Sequence, residues 1–97
     1  SGGPILHPGL DLIELVPICP HTLSNRPIVV APDVSIEITM RCVQDVHVNC
    51  DSHTSFDLKQ TDKIIVQRFP KAVTLLHSTQ HSYYRMLREK LGWSDFP

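Results

Sequence analysis

Short extended runs, broken by proline and other turn-forming residues, limit how this chain folds more than any other feature. Alternation is clearest from Val34 to Met40, where Val, Ile and Met occupy every second position and polar residues occupy the others. Such alternation places apolar side chains on one face of a strand and polar side chains on the other. Similar runs recur at short intervals, which predicts about six strands and a mostly β fold. The predicted runs are Leu10–Cys19, Pro27–Val30, Val34–Met40, Val46–Cys50, Phe56–Leu58, Lys63–Phe69 and Ala72–His77.

Polar connections between these runs predict two antiparallel hairpins. The first pairs Val34–Met40 with Val46–Cys50 across the Gln44-Asp45 connection. The second pairs Phe56–Leu58 with Lys63–Phe69 across a turn at residues 60–62.

The hydrophobic period changes near the end of the chain. From Ser82 to Leu91 the apolar residues are three to four positions apart, which predicts one short C-terminal helix. Ser82 can cap its beginning, and Gly92 can adopt the left-handed conformation that ends it. The apolar positions are Tyr83, Met86, Leu87 and Leu91.

Size and composition bound the class of protein. With 97 residues and 11.0 kDa the chain is at most one small domain, whose stability we expect to depend on partner surface. A net charge of −1 and 41% hydrophobic residues exclude a basic nucleic-acid binder and a disordered tail. Apolar runs fall short of the roughly 20 residues that cross a bilayer, so we expect no membrane partner and a cytoplasmic location.

The three cysteines, Cys19, Cys42 and Cys50, have no framework spacing, so we expect no disulfide. Two of them lie in apolar or alternating runs, where a reduced thiol packs as a small hydrophobe. Cys19 with His21, and Cys50 with His53, could form a tetrahedral zinc site if the strands bring them together. Residues 50 and 53 diverge along a strand unless the chain turns there, so buried thiols and exposed histidines are the favoured interpretation. Catalysis by Cys50 and His53 also lacks a third residue to orient the base.

Two polar or glycine-rich segments have both a plain and a functional interpretation. Gly2-Gly3-Pro4 follows no initiator Met and is typical of the end of a longer phosphate-handling loop, so we expect the chain to be part of something larger. Most glycine pairs, however, are only tight turns. Asp51-Ser52-His53 is either a hairpin turn or a binding cluster, and composition does not choose between them.

Four motifs, taken in their order along the chain, resemble the carboxy-terminal part of bacterial NAD kinases. The resemblance spans the whole chain, and its most unusual blocks are Pro-His-Thr-Leu-Ser and Lys-Leu-Gly-Trp. The motifs are Ser1–Pro8, Val16–Val29, Cys50–His53 and Leu87–Trp93.

The resemblance implies a kinase that phosphorylates the adenosine ribose 2′-hydroxyl of NAD to give NADP. It implies ATP as phosphoryl donor, with polyphosphate as the open alternative, and Mg²⁺ or another divalent metal. In this family the general-base aspartate belongs to a Gly-Gly-Asp motif in an amino-terminal α/β domain, and that motif is absent from this sequence. The chain is therefore expected to carry no catalytic residue and no metal ligand, and to be inactive alone.

The resemblance also implies which residues bind NAD, namely Asp51, Ser52 and His53 together with Gly2 and Gly3. The position of His53 is often glutamine in related proteins. A neutral imidazole can still donate or accept one hydrogen bond, so the contact is expected to persist.

In architecture, the resemblance implies a carboxy-terminal β-sandwich piece with one short helix. Residues 1–80 would form the sandwich part of the NAD-binding domain, and residues 81–97 a helix and tail packed on the amino-terminal α/β domain. Homodimers or homotetramers are expected. Two other classes remain open from the residues themselves: a non-catalytic β-sandwich interaction module, and a small Cys/His zinc-binding domain.

Overall fold

The computed structural model describes residues 2–19, 23–41 and 45–93. Their order along the chain is six strands followed by one helix. The predicted mostly β fold with a short C-terminal helix is confirmed. The elements are β1 (Ile13–Leu15), β2 (Ile28–Val30), β3 (Ile36–Thr39), β4 (Val46–Cys50), β5 (Thr54–Leu58), β6 (Lys63–Val66) and α1 (Tyr83–Leu91).

The strands form three antiparallel two-stranded sheets, in which β1 pairs with β2, β3 with β6, and β4 with β5. Both predicted hairpins are therefore wrong in their partners, although β3 to β6 lie where strands were predicted. The β4–β5 hairpin is nested between β3 and β6. The predicted turn at residues 60–62 does form, with Asp62 N donating to Lys59 O at 2.9 Å, but it joins strands of different sheets.

The observed registers pair apolar side chains with apolar side chains. In β4–β5, Val46 lies opposite Leu58 and Val48 opposite Phe56. Because side chains alternate along each strand, this register puts the four apolar residues on one face and leaves His47 opposite Asp57 on the other.

The β3–β6 sheet follows the same rule. In β3–β6, Ile36 lies opposite Val66 and Ile38 opposite Ile64. On the polar face the Lys63 Nζ is 3.1 Å from Glu37 Oε1 across the strands.

The predicted strand Ala72–His77 does not form. Its apolar side chains are exposed, Leu76 at 92% and Val73 at 85%, and no strand of the described residues pairs with it. The composition favours a strand here, but the segment joins no sheet of the described residues.

Helix α1 begins and ends as its sequence predicts. The Ser82 Oγ accepts a hydrogen bond from Arg85 N at 3.4 Å, and Gly92 ends the helix with a φ of 66°. Its backbone N–H donates to Arg88 O, as in left-handed C-caps. Both predicted caps are confirmed.

None of residues 2–19, 23–41 and 45–93 is buried, so this chain has no hydrophobic core among them. The radius of gyration is 17.5 Å, whereas a compact domain of this length has about 13 Å. Its accessible surface is 9200 Å², against about 5,600 Å² for a compact protein of the same mass. The apolar faces of the three sheets are therefore only partly covered, with half-buried and exposed side chains on them, and the two-layer sandwich stays a prediction.

Two long-range contacts join parts of the described chain that are far apart in sequence. The Arg68 Nη1, just after β6, is 2.6 Å from Asp11 Oδ2, just before β1. The Tyr83 hydroxyl of α1 donates to the Leu6 carbonyl oxygen at 3.3 Å. In the part of the chain that is described, no helix is long and apolar enough to cross a membrane.

Candidate functional site

The predicted site residues Asp51, Ser52 and His53 form the turn of the β4–β5 hairpin. His53 N donates to Cys50 O at 3.1 Å, and φ is 52° at Asp51 and 61° at Ser52. Positive φ at both central residues is the signature of the type I′ turn, whose twist matches that of antiparallel strands. The hairpin-turn interpretation from the sequence is thus confirmed.

The turn conformation is costly for the residues that occupy it. Left-handed backbone is tolerated by Asp but is uncommon for Ser, and it costs about 1 kcal/mol or more per non-glycine residue. Glycine would be the ordinary choice at Ser52. Strained positions of this kind cluster at ligand sites, which is a reason to test the turn for binding.

All three side chains of the turn are exposed. Together they offer a carboxylate, a hydroxyl and an imidazole, which can both accept and donate hydrogen bonds. Such a set suits a neutral, hydroxyl-rich ligand better than a phosphate, because Asp51 carries a negative charge.

The same hairpin holds a side-chain contact between a histidine and an aspartate that the sequence analysis missed. His47 Nδ1 contacts Asp57 Oδ1 directly across the strands, with both side chains exposed. The signal was available only once the register was known, since the two residues are ten positions apart.

The glycine pair Gly2-Gly3 has a structural role at Gly3. A Cβ there would lie 2.7 Å from Val16 Cγ2 and closer still to the Glu14 carboxylate. Gly2 has a φ of 84°, a backbone that favours glycine, and open space around it. The chain therefore passes close to β1 at Gly3, and a Cβ there would require the side chains of Glu14 and Val16 to move.

Glu14 is a second residue that sequence reasoning missed. Its Oε1 is buried beside Gly3 and has no hydrogen-bond partner among the described residues. An acidic residue inside the apolar run of β1 was the available signal. A carboxylate at this place also disfavours a phosphate immediately beside Gly3.

The two halves of the predicted site are not brought together by any contact of the described residues. Gly2 and Gly3 lie against β1, whereas Asp51, Ser52 and His53 lie at the tip of β4–β5. No hydrogen bond or ion pair of the described chain joins the two groups.

Cys19 and Cys50 carry free, exposed thiols, so the prediction of buried thiols is wrong for these two. Cys50 ends β4, in which no residue is buried, and Cys19 lies outside the strands of the described residues. Within the described ranges, Cys19, Cys50 and His53 do not gather into a metal-binding group. His21 and Cys42 lie outside the described residues.

Residues 1–78 match the family model described as the ATP-NAD kinase C-terminal domain. The chain belongs to this family. This NAD kinase C-terminal domain is similar over its whole length to the NAD kinase of Nitrosospira multiformis, with 63% identity over 97 residues that make up 33% of that relative.

Further relatives agree. The NAD kinase of Nitrosomonas europaea is 61% identical over 94 residues, covering 97% of this chain and 32% of the relative. That of Ralstonia nicotianae is 45% identical over 97 residues, again 32% of the relative. The chain thus spans about a third of the length of the curated relatives it matches. No solved structure matches it significantly.

Proposed function

We propose that this chain is the carboxy-terminal domain of an NAD kinase, which transfers the terminal phosphoryl group of ATP to the adenosine ribose 2′-hydroxyl of NAD and gives NADP. The family match over residues 1–78 carries the proposal. Because the chain spans about a third of relatives named NAD kinase, the reaction is assigned to the longer protein. The domain alone is inactive.

In this proposal the domain supplies binding surface for NAD. The exposed β4–β5 turn is the first contribution, with Asp51 accepting from ribose hydroxyls and His53 giving one further hydrogen bond. The Gly2-Gly3 pair is the second contribution, because glycine has no side chain and allows a ligand to approach the backbone closely. Both groups need the rest of the protein to complete one pocket.

The general base and the metal are assigned to other parts of the protein. In the described part of this chain no three or more His, Cys, Asp or Glu side chains converge as metal ligands, so these residues do not fit a Mg²⁺ site of their own. Mg²⁺ in phosphoryl transfer is usually held by substrate phosphates and one or two carboxylates.

Assembly into homodimers or homotetramers and a cytoplasmic location complete the proposal. Each two-stranded sheet has exposed edges and an exposed apolar face, and a second subunit or the rest of the protein could cover them. Packing of residues 81–97 on the amino-terminal domain is part of the same proposal.

Steady-state kinetics of the full-length protein test both the proposed reaction and the proposed NAD contact of His53. NADP formed from NAD, ATP and Mg²⁺ is measured with an NADP-specific dehydrogenase. We expect His53→Ala to raise the KM for NAD about two- to tenfold with little change in kcat, the effect of losing one hydrogen bond that forms on binding.

Two further variants sharpen this test. His53→Gln restores a donor and an acceptor and should keep a KM near that of the wild type. His77→Ala removes another exposed histidine, outside the hairpin, and should leave NAD kinetics unchanged. Absence of NADP formation by the wild type would overturn the function, and equal KM values for His53→Ala and His77→Ala would overturn the site.

A further inference from the structure

The opening segment (residues 2–10) and helix α1 contact each other from opposite ends of the described sequence. The Tyr83 hydroxyl donates to the Leu6 carbonyl oxygen at 3.3 Å, across 77 positions. The His7 ring lies against two rings of α1, with centroids 5.1 Å from Tyr83 at an interplanar angle of 72° and 5.7 Å from Tyr84. The helix is therefore held on the segment that carries the glycine pair.

The position of the His7 ring is fixed on its own side as well. Gly9 N donates to His7 Nδ1 at 2.9 Å, and Leu10 N donates to His7 O at 3.0 Å. These two bonds close a turn at Pro8-Gly9 around the histidine. The edge-to-face contact with Tyr83 then joins this turn to the first residue of α1.

The opening segment is thus held at two points. At Leu6 and His7 it is fastened to α1, and at Gly3 it lies against Val16 and Glu14. Only Pro4 and Ile5 separate the two points, and the ring of Pro4 fixes its φ. The connection between Leu6 and Gly3 is therefore short and has one rotation fewer than an ordinary segment of its length.

We propose that Tyr83 is a positioning residue, which acts through Leu6 and His7 to hold Gly2 and Gly3 in place for the nucleotide. The role in binding rests on the proposed function, since Gly2 and Gly3 are assigned to NAD there. The contact of Tyr83 with Leu6 and His7 does not rest on the proposed function, because it lies within this chain. Tyr83 is half-buried in the described structure, whereas the neighbouring Tyr84 is 62% exposed.

The test removes one hydroxyl group at a time from the full-length protein. Tyr83→Phe keeps the ring against His7 and removes the donor to Leu6. Tyr84→Phe is the matched control, since it removes the hydroxyl of the adjacent tyrosine, for which the described structure gives no hydrogen bond. Hydrogen exchange of the Gly9 and Leu10 amides, both bonded to His7, reports on the opening segment without any need for activity.

We expect Tyr83→Phe to speed exchange of these two amides about two- to tenfold and to raise the KM for NAD by a similar factor, with kcat within twofold. Tyr84→Phe should change neither quantity. Equal exchange rates in the two variants would overturn the fastening. Faster exchange with an unchanged KM would overturn the positioning role. A wild type that forms no NADP would overturn the proposed function instead, and the exchange comparison would still decide whether Tyr83 fastens the segment.

Discussion

Among Gly2, Gly3 and Gly9, Gly3 is the glycine at which the structure leaves least room for a side chain. Val16 has a stiff, β-branched side chain whose Cγ2 would lie 2.7 Å from a new Cβ, and the buried Glu14 carboxylate is closer still. Overpacking of this kind typically costs about 1–3 kcal/mol.

We therefore expect Gly3→Ala to lower the free energy of unfolding of the full-length protein by about 1–3 kcal/mol, measured by denaturant titration. Gly2→Ala is the matched control, because it meets only the strain of a positive φ and no atom within 4 Å. Val16→Ala added to Gly3→Ala should recover part of the loss, since it removes the colliding methyl group. A larger loss from Gly2→Ala than from Gly3→Ala would contradict the close packing.

At single residues, local backbone conformation could be predicted from the sequence, whereas burial and packing could not. The turn at Asp51-Ser52 and the caps Ser82 and Gly92 were predictable because they depend on neighbours within a few positions. The exposure of Cys19 and Cys50 was not, because burial depends on whether other parts of the protein cover the residue. The fit of Gly3 against Val16 was equally hidden, since it depends on where the chain passes β1.

The β4–β5 hairpin is the element whose turn is most open to improvement. Ser52 has a φ of 61°, which glycine adopts freely and which the second position of a type I′ turn favours.

We expect Ser52→Gly to raise the free energy of unfolding of the full-length protein by about 0.5–1 kcal/mol, as relief of strain outweighs the added freedom of the unfolded chain. Ser55→Gly, three residues further along in β5, should lower it by about 0.5–1 kcal/mol, because glycine weakens a strand interior. Effects of the same sign in the two variants would show that the turn is not strained. Urea titration of both proteins in parallel makes the comparison.

For whole elements, the sequence predicted kinds and places but not partners. Alternation in β3 and β4 identified both strands, yet alternation carries no information on which strand lies beside which. Pairing neighbours across polar connections was wrong, because the tight turn at Asp51-Ser52 closes β4 on β5 and leaves β3 to find β6. The extended run Ala72–His77 shows the same limit, since a strand needs a partner and this run has none in the described part.

The molecule as a whole exposes the apolar surface that a domain normally buries. No described residue is buried, and the radius of gyration exceeds that of a compact chain of equal length. Neither property could be predicted from composition, because 41% hydrophobic residues are ordinary for a protein with a core. The sequence predicted only that a chain this short would depend on partner surface.

Calorimetry of the isolated 97-residue chain tests this property. We expect a heat-capacity change of unfolding well below the usual value of about 12–15 cal/mol/K per residue, because little apolar surface is buried to begin with. We also expect strong binding of an apolar fluorescent dye and association that increases with concentration. The full-length protein, in which we propose that these apolar faces are covered, is the control. A monomer with a cooperative transition and the usual heat-capacity change would contradict the expectation.

In the sequence, the β4–β5 hairpin lies between the paired strands β3 and β6, and this order has a consequence for biosynthesis. A ribosome releases β3 well before β6, so the backbone groups of β3 stay without their sheet partner while the intervening chain is made. The turn at Asp51-Ser52 allows β4 and β5 to pair as soon as both are available. This pairing shortens the effective loop that β3 and β6 must later close. A pause in translation after residues 46–58 have left the ribosomal exit tunnel would favour formation of this hairpin before β3 pairs with β6. Premature pairing of β3 with another nascent chain would instead lead to aggregation.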